Sequence, residues 1–245
     1  MELKIMTFNI RHGKGTDQKL DLQRIIKVLM DSDADIIGLN EVDKQFSKRS
    51  EFMDQAESIA GALEMAYVFG PAITMKSGGN GECRQYGSAI LTRFPILKST
   101  NHPFDFLPGI IEDRALLEVL IEIESKTVAV YTTHLSLAPF LHGKQTDFII
   151  DHVKKKNIPA IIMGDWNMKP YSSSWRSVTE QLNDTWVEQH GDKERGYTYP
   201  SKKPRMKLDY IFTNEFFKVE DAKVIKANKE ASDHLPLLTT LKFNE

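Results

Sequence analysis

The stretch Ser232-Asp233-His234-Leu235-Pro236-Leu237 places a carboxylate and an imidazole directly before an apolar run. Such a pair sits where a core strand meets its loop, half in the protein and half in water. Taken alone it also fits a turn followed by a surface imidazole, because short motifs match by chance. What separates the two readings is that apolar runs elsewhere repeatedly end in polar residues able to do chemistry. Asn9 follows residues 3–8, Glu41 follows 36–39, His134 follows 128–133, Asp165 and Asn167 follow 159–163, and Asp209 lies inside Leu208-Asp209-Tyr210.

Residues 3–10 alternate apolar and polar positions and read as a strand. Asp21 is placed to cap a helix carrying Leu22, Ile25, Ile26 and Leu29 at helical spacing. The run 36–39 reads as a buried strand that stops at Asn40-Glu41. Strand, helix and strand in succession make neighbours of the two strands, so Asn9 and Glu41 are expected at one edge. A second helix starts at Asp54, with Glu57 as capping partner and Ala56, Ile59, Ala60 and Leu63 on one face. Beyond it come a strand near 67–69, a polar Gly-rich loop over 76–85 and a strand over 88–92, closed off by Pro95. Residues 116–123 and 128–133 form a hairpin around Glu124-Ser125-Lys126 that ends at His134. A helix over 144–156, a buried strand over 159–163, a helical region over 175–182, a polar loop, and strands at 208–212, 223–226 and 237–243 complete the chain. No repeat, low-complexity tract or linker interrupts residues 1–245, which read as one domain. Hairpins mixed with helical crossovers favour an α/β fold of stacked sheets flanked by helices over a purely parallel sheet.

Hydrophobic residues make up 41% of the chain and charged residues 27%, which fits a soluble globular protein and excludes a disordered one. Lys and Arg total 32 against 34 Asp and Glu, so a polyanion would have to be gripped by a local patch, not a global field. The lone Cys83 excludes an intramolecular disulfide and a cysteine-rich zinc site. No stretch approaches the ~18 apolar residues of a membrane span, and residues 1–10 lack an apolar leader, so the expected location is cytoplasmic. A leader removed ahead of residue 1 is compatible with the same sequence. No feature sets an oligomeric state, and a monomer is the default expectation.

If the strand ends converge, they enclose four carboxylates, two imidazoles and two amides. Taking like charges out of water costs on the order of several kcal/mol, so such a pocket requires a cation. Carboxylate and amide oxygens suit a hard ion, Mg²⁺ or alternatively Mn²⁺, whereas zinc would be matched by clustered His or Cys. Mg²⁺ takes one or two carboxylates and completes its shell with water and substrate phosphate, so the expected substrate is a phosphate ester. Neighbours on a strand point to opposite sides, which makes Asp233 a poor partner for His234 and Asp209 a better one. Such a partner raises the histidine pKa and favours the imidazolium that a phosphate attracts.

Six motifs in order, Thr7-Phe8-Asn9-Ile10, Leu39-Asn40-Glu41-Val42, Thr133-His134-Leu135, Gly164-Asp165-Trp166-Asn167, Leu208-Asp209-Tyr210-Ile211 and Ser232-Asp233-His234-Leu235-Pro236, resemble those of the endonuclease/exonuclease/phosphatase superfamily. That superfamily includes exonuclease III-type repair nucleases, pancreatic-type deoxyribonuclease, bacterial sphingomyelinases and inositol-polyphosphate phosphatases. The resemblance implies a four-layer αββα sandwich of two mixed β-sheets between helices, with the site at one sheet edge. It implies Glu41 as principal metal ligand with Asn9 and Asp233 beside the metal or phosphate. Asp165 would orient or deprotonate the attacking water, and Asn167 would hold a phosphate oxygen. His234, oriented by Asp209, would stabilise the transition state, and His134 would be the second imidazole on the phosphate. Asn40 departs from the family's usual Gln. His134 stands where abasic-site repair members commonly carry Tyr, which points away from that role; Glu82 is a candidate partner for it.

The substrate is less constrained. Arg114 offers a guanidinium that matches phosphate oxygens, or a surface ion pair. Lys202, Lys203, Arg205 and Lys207 form a basic loop leading into Asp209 that suits DNA or RNA, and equally a solvated loop. Phe104-Asp105-Phe106-Leu107-Pro108 and Leu137-Ala138-Pro139-Phe140-Leu141 would suit the lip of a lipid-headgroup or small-ligand site, or fold back onto the core. No long amphipathic stretch supports stable membrane anchoring. The sequence therefore points to a Mg²⁺-dependent phosphoesterase, with a phosphodiester as first substrate class. An inositol or lipid-headgroup phosphatase or phospholipase-like diesterase is the alternative enzyme, and a non-catalytic binding scaffold the alternative of another kind.

Overall fold

A computed structural model describes residues 1–76, 83–106 and 114–244. The first β-sheet is assembled from β1 (Glu2–Asn9), β2 (Ile36–Lys44), β3 (Ala66–Lys76), β4 (Cys83–Thr92), β11 (Phe217–Val224) and β12 (Leu237–Phe243), in the order β11-β12-β1-β2-β4-β3. The second contains β5 (Ile96–Pro103), β6 (Ala115–Ile123), β7 (Lys126–His134), β8 (Ala160–Asp165), β9 (Asn183–Asp184) and β10 (Asp209–Thr213), in the order β5-β6-β7-β8-β10-β9. Both sheets are mixed: β1 runs parallel to β2 and β7 parallel to β8, while β12 and β10 join antiparallel.

Alternation along the strands builds three apolar layers. Leu3, Ile5, Ile36, Val128, Val130, Met163 and Ile211 fill the space between the sheets. Met6, Phe8, Ile37 and Leu39 face the other way, onto α1 (Leu22–Ser32) and α2 (Gln55–Leu63). Tyr131, Ile162 and Phe212 face α3 (Pro139–Lys154) and α4 (Ser173–Thr179). Helix, sheet, sheet and helix are thus stacked as the four expected layers. Asp21 and Asp54 cap α1 and α2 by accepting from the Arg24 and Glu57 backbone N–H groups.

Several elements differ from the sequence expectation. β2 does not stop at Asn40-Glu41 but continues to Lys44 through a register break between Leu39 and Val42. β3 and β4 extend into the expected 76–85 loop, as far as Lys76 and from Cys83. β5 went unforeseen because it is a sheet-edge strand, solvent-facing and polar over Lys98-Ser99-Thr100-Asn101. β11 lies earlier than residues 223–226, since a bulge between Val219 and Asp221 breaks its alternation. α3 starts at Pro139, five residues ahead of the expected position, and the short α5 (Thr185–His190) occupies part of the expected polar loop.

Candidate active site

Strand register brings three of the polar strand ends together. Asp165 on β8 is directly opposite His134 on β7 and Asp209 on β10. Side chains in register share a face, and Met163 and Ile211, two residues along, fix that face as the one between the sheets. Asn9, with Leu3 and Ile5 on the same face of β1, approaches from the facing sheet, and its Nδ2 donates to Asp165 Oδ2 at 3.1 Å.

Glu41 reaches this point by an irregularity. Ile36 faces the inter-sheet core, so simple alternation would put Asn40 inward and Glu41 outward toward the helices. At the register break Glu41 adopts φ 57°, a left-handed conformation, and its Oε1 accepts from Asn9 Nδ2 at 3.0 Å. Burial holds the Glu41 carboxyl above its ordinary range; the Asn9 hydrogen bond opposes that shift, and Asp233 and Asp165 add to it. Asp233 Oδ2 lies 3.5 Å from Arg11 Nε. The Asn9 Oδ1 atom accepts from the Arg11 backbone N–H at 3.0 Å. Asn9 therefore presents its NH₂ to the carboxylates, not the oxygen expected of a metal ligand.

The two imidazoles differ in charge. His234 Nδ1 is 2.8 Å from Asp209 Oδ2, and its Nε2 lies 3.6 Å from Asp165 Oδ2. Burial opposes its protonation, but Asp209, Asp165 and Asp233 outweigh that and raise its pKa to about 10. His134 Nε2 lies 3.5 Å from the same Asp165 oxygen, yet burial pushes its pKa down to about 4. At neutral pH the site pairs an imidazolium with a neutral imidazole. Asp165, Asp209 and His234 each hold a potential ligand atom within 4.8 Å of the others. His234 Nδ1 is engaged by Asp209, so the three also form a hydrogen-bonded chain. The oxygen donors fitting a hard cation are those of Glu41 and Asp233.

Asn167, at φ 47°, donates its backbone N–H to Asp165 Oδ1 at 3.1 Å, and its Nδ2 donates to Leu135 O at 2.9 Å. Arg114 borders a small cleft shared with His134 and Tyr86. Lys202, Lys203 and Arg205 are exposed on a loop tied to the site by the Ser201 N–H, which donates to Asp233 O at 2.7 Å. Lys207 does not belong to that basic surface. Its Nζ is buried against both carboxylate oxygens of Asp184, each at 2.7 Å. Phe104 also turns inward and stacks on Phe106, whereas Leu137 and Phe140 are 76% and 62% exposed. Glu82, Leu107 and Pro108 lie outside the described residues.

Sequence reasoning underrated Asn40. Its Nδ2 donates to Ser88 Oγ at 3.0 Å and Thr133 O at 3.0 Å, while its Oδ1 accepts from the Asp165 N–H at 2.8 Å. One amide thereby joins the two sheets beneath the site. The available signal was an amide at an inward position of a buried apolar run. Ser232, whose Oγ donates to Asn9 O at 2.7 Å, and Tyr199, whose ring lies 4.8 Å from His234, carried no such signal.

The model of the Endonuclease/Exonuclease/phosphatase family matches residues 6–234, and the chain belongs to that family of hydrolases. An endonuclease/exonuclease/phosphatase from Beutenbergia cavernae is 25% identical, superposing with a TM-score of 0.85 over 99% of this chain and 72% of its own. A mannosyl-6-phosphatase from Bacteroides thetaiotaomicron is 18% identical, with a TM-score of 0.80 over 98% of this chain and 100% of that one. The human Nocturnin catalytic domain is 17% identical, with a TM-score of 0.74 over 99% and 95%. No curated protein matches the chain in sequence. Among the described residues, no helix is long and apolar enough to cross a membrane.

Proposed function

We propose that the protein is a Mg²⁺-dependent phosphoesterase that hydrolyses a phosphodiester P–O bond by direct attack of water. The observation carrying this reading is the position of Asp165 Oδ2, within 3.6 Å of Asn9, His134 and His234 side-chain nitrogens at the junction of both sheets. Glu41 and Asp233 would hold the cation, Mg²⁺ before Mn²⁺ on donor chemistry. When bound, the ion supplies charge that stabilises the phosphoryl oxygens. Asp165 accepts the proton of the attacking water as its oxygen bonds to phosphorus; the bond to the leaving oxygen breaks, and that alkoxide takes a proton from solvent to depart as the alcohol. The His234 imidazolium donates from Nε2 to a phosphoryl oxygen, with Asp209 holding the ring through Nδ1. In this reading His134 and Asn167 would contact the same phosphoryl group, and Arg114, which lines a cleft with His134, would be its neighbour.

Lys202, Lys203 and Arg205, exposed on the loop anchored to Asp233, support a polyanionic diester such as DNA or RNA. A second reading, a monoester of a sugar or other headgroup, is favoured by a cavity of about 300 Å³ lined in part by Lys169, Tyr171, Trp186, Tyr197 and Arg205. The Bacteroides thetaiotaomicron neighbour is a mannosyl-6-phosphatase. Mg²⁺-dependent nicking of supercoiled plasmid, run beside a synthetic diester and a hexose phosphate with His234→Ala as control, tests the proposal. Nicking by wild type alone supports the nucleic-acid diester. Release of phosphate from the hexose phosphate only would replace it with the monoester reading.

A further inference from the structure

Away from this site, on the outer face of the second sheet, three side chains from three elements point at one another. His102 leaves the edge strand β5, Glu118 the adjacent β6, and His152 the helix α3. His102 Nε2 lies 3.0 Å and His152 Nε2 2.8 Å from the same carboxylate oxygen, Glu118 Oε2. These three atoms all fall within 4.8 Å of one another. We propose that His102, His152 and Glu118 form a second cation site, separate from the hydrolytic centre, that takes a divalent transition ion of the Zn²⁺ type.

The donor set selects the ion. Two imidazole nitrogens and one carboxylate oxygen match the ligands of zinc, with a water in the remaining tetrahedral position, whereas Mg²⁺ prefers oxygen throughout. The rings are held in place by packing. Phe148 stacks on His152 at 5.7 Å and also contacts His102, while the two histidine rings are 4.4 Å apart. Lys156 pairs with the other Glu118 oxygen, Oε1, so Oε2 remains the ligand atom and the lysine orients the carboxylate from outside. Tyr131 is opposite Glu118 in the strand register and its ring lies 6.0 Å from that of His152. Its hydroxyl is buried and has no hydrogen-bond partner among the described residues, which suits it to a water on the ion's open position. An ion here would fasten α3 and β5 to the same strand.

The test uses Co²⁺ as an optical probe and Zn²⁺ as competitor, added to chelator-treated full-length protein in saturating Mg²⁺. Wild type should bind one Co²⁺ with the intense visible absorption of four-coordinate cobalt, lose it to Zn²⁺ but not to further Mg²⁺, and melt at a higher temperature with Zn²⁺. His102→Ala and His152→Gln should each weaken that binding by more than about 100-fold, since loss of a ligand exceeds loss of an outer-shell partner. His152→Gln keeps an amide against Glu118 and preserves the fold, checked by circular dichroism. Mg²⁺-dependent hydrolysis should be unchanged in both variants. Absence of the four-coordinate absorption in wild type, or its persistence in His152→Gln, would overturn the proposal and leave a hydrogen-bonded cluster.

Discussion

Asp209 Oδ2 stands 2.8 Å from His234 Nδ1 across two elements, the start of β10 and the loop entering β12. The bond fixes the ring so that Nε2 faces Asp165, and it keeps the imidazole charged despite burial. A histidine raised to about 10 from an ordinary 6.5 binds its proton more tightly folded than unfolded. Its contribution to stability is complete below pH 6.5 and fades as pH rises through about 10.

Replacement of Asp209 by Asn removes the strongest charge that opposes burial at His234. The alkaline limb of the pH–rate profile should move down by about one to three units, and the fall in stability between pH 6.5 and 10 should flatten. Initial rates and thermal melts across pH 6 to 11 check both; an unmoved limb removes Asp209 from the hydrogen-bonded chain.

Glu41 is buried and faces Asp233 and Asp165, and its raised pKa means that metal-free protein loses stability as pH rises past the ordinary carboxylate range. Glu41→Gln should make the metal-free protein more stable at pH 7, read as a higher melting temperature. The same change should abolish the rise in melting temperature produced by Mg²⁺ and lower kcat/KM at least about 100-fold. An undiminished Mg²⁺ shift would exclude Glu41 as a ligand.

Asn40 predicts a different signature. Asn40→Ala leaves the buried Asp165 N–H without its acceptor, costing about 1–3 kcal/mol in urea unfolding. Because Asp165 is then loosely held, kcat should fall while the KM for Mg²⁺ stays nearly constant.

The buried Lys207–Asp184 pair should be structural. Lys207→Ala should destabilise by about 3–5 kcal/mol, leaving the buried Asp184 carboxylate without its cation, and Asp184→Asn made on top should recover part of it. Alanine at Lys202, Lys203 and Arg205 together should leave stability within about 0.5 kcal/mol and reduce the salt dependence of plasmid nicking.

The residues that were legible in the sequence are those whose position follows from alternation. Asn9, His134 and Asp165 end strands with clear apolar faces; register sets His134 beside Asp165, and the stacking of the two sheets brings Asn9 onto them. Glu41 was legible as a residue but not as a geometry, because a bulge at φ 57° redirects a side chain that periodicity would send outward. Lys207 read as part of a basic loop because its partner, Asp184, lies 23 positions earlier and joins it only in three dimensions. β5 lay outside the reach of periodicity, since an edge strand has one flank in water and little need for an apolar face.

The central claim, that this junction of two sheets hydrolyses a P–O bond through Asp165-activated water, is tested most directly by turnover in ¹⁸O-labelled water. A synthetic phosphodiester, Mg²⁺ and wild type or Asp165→Asn protein suffice. The account predicts one labelled oxygen in the phosphate product and none in the released alcohol, with the variant slower by at least about 100-fold. Label in the alcohol, or undiminished turnover by Asp165→Asn, would contradict it.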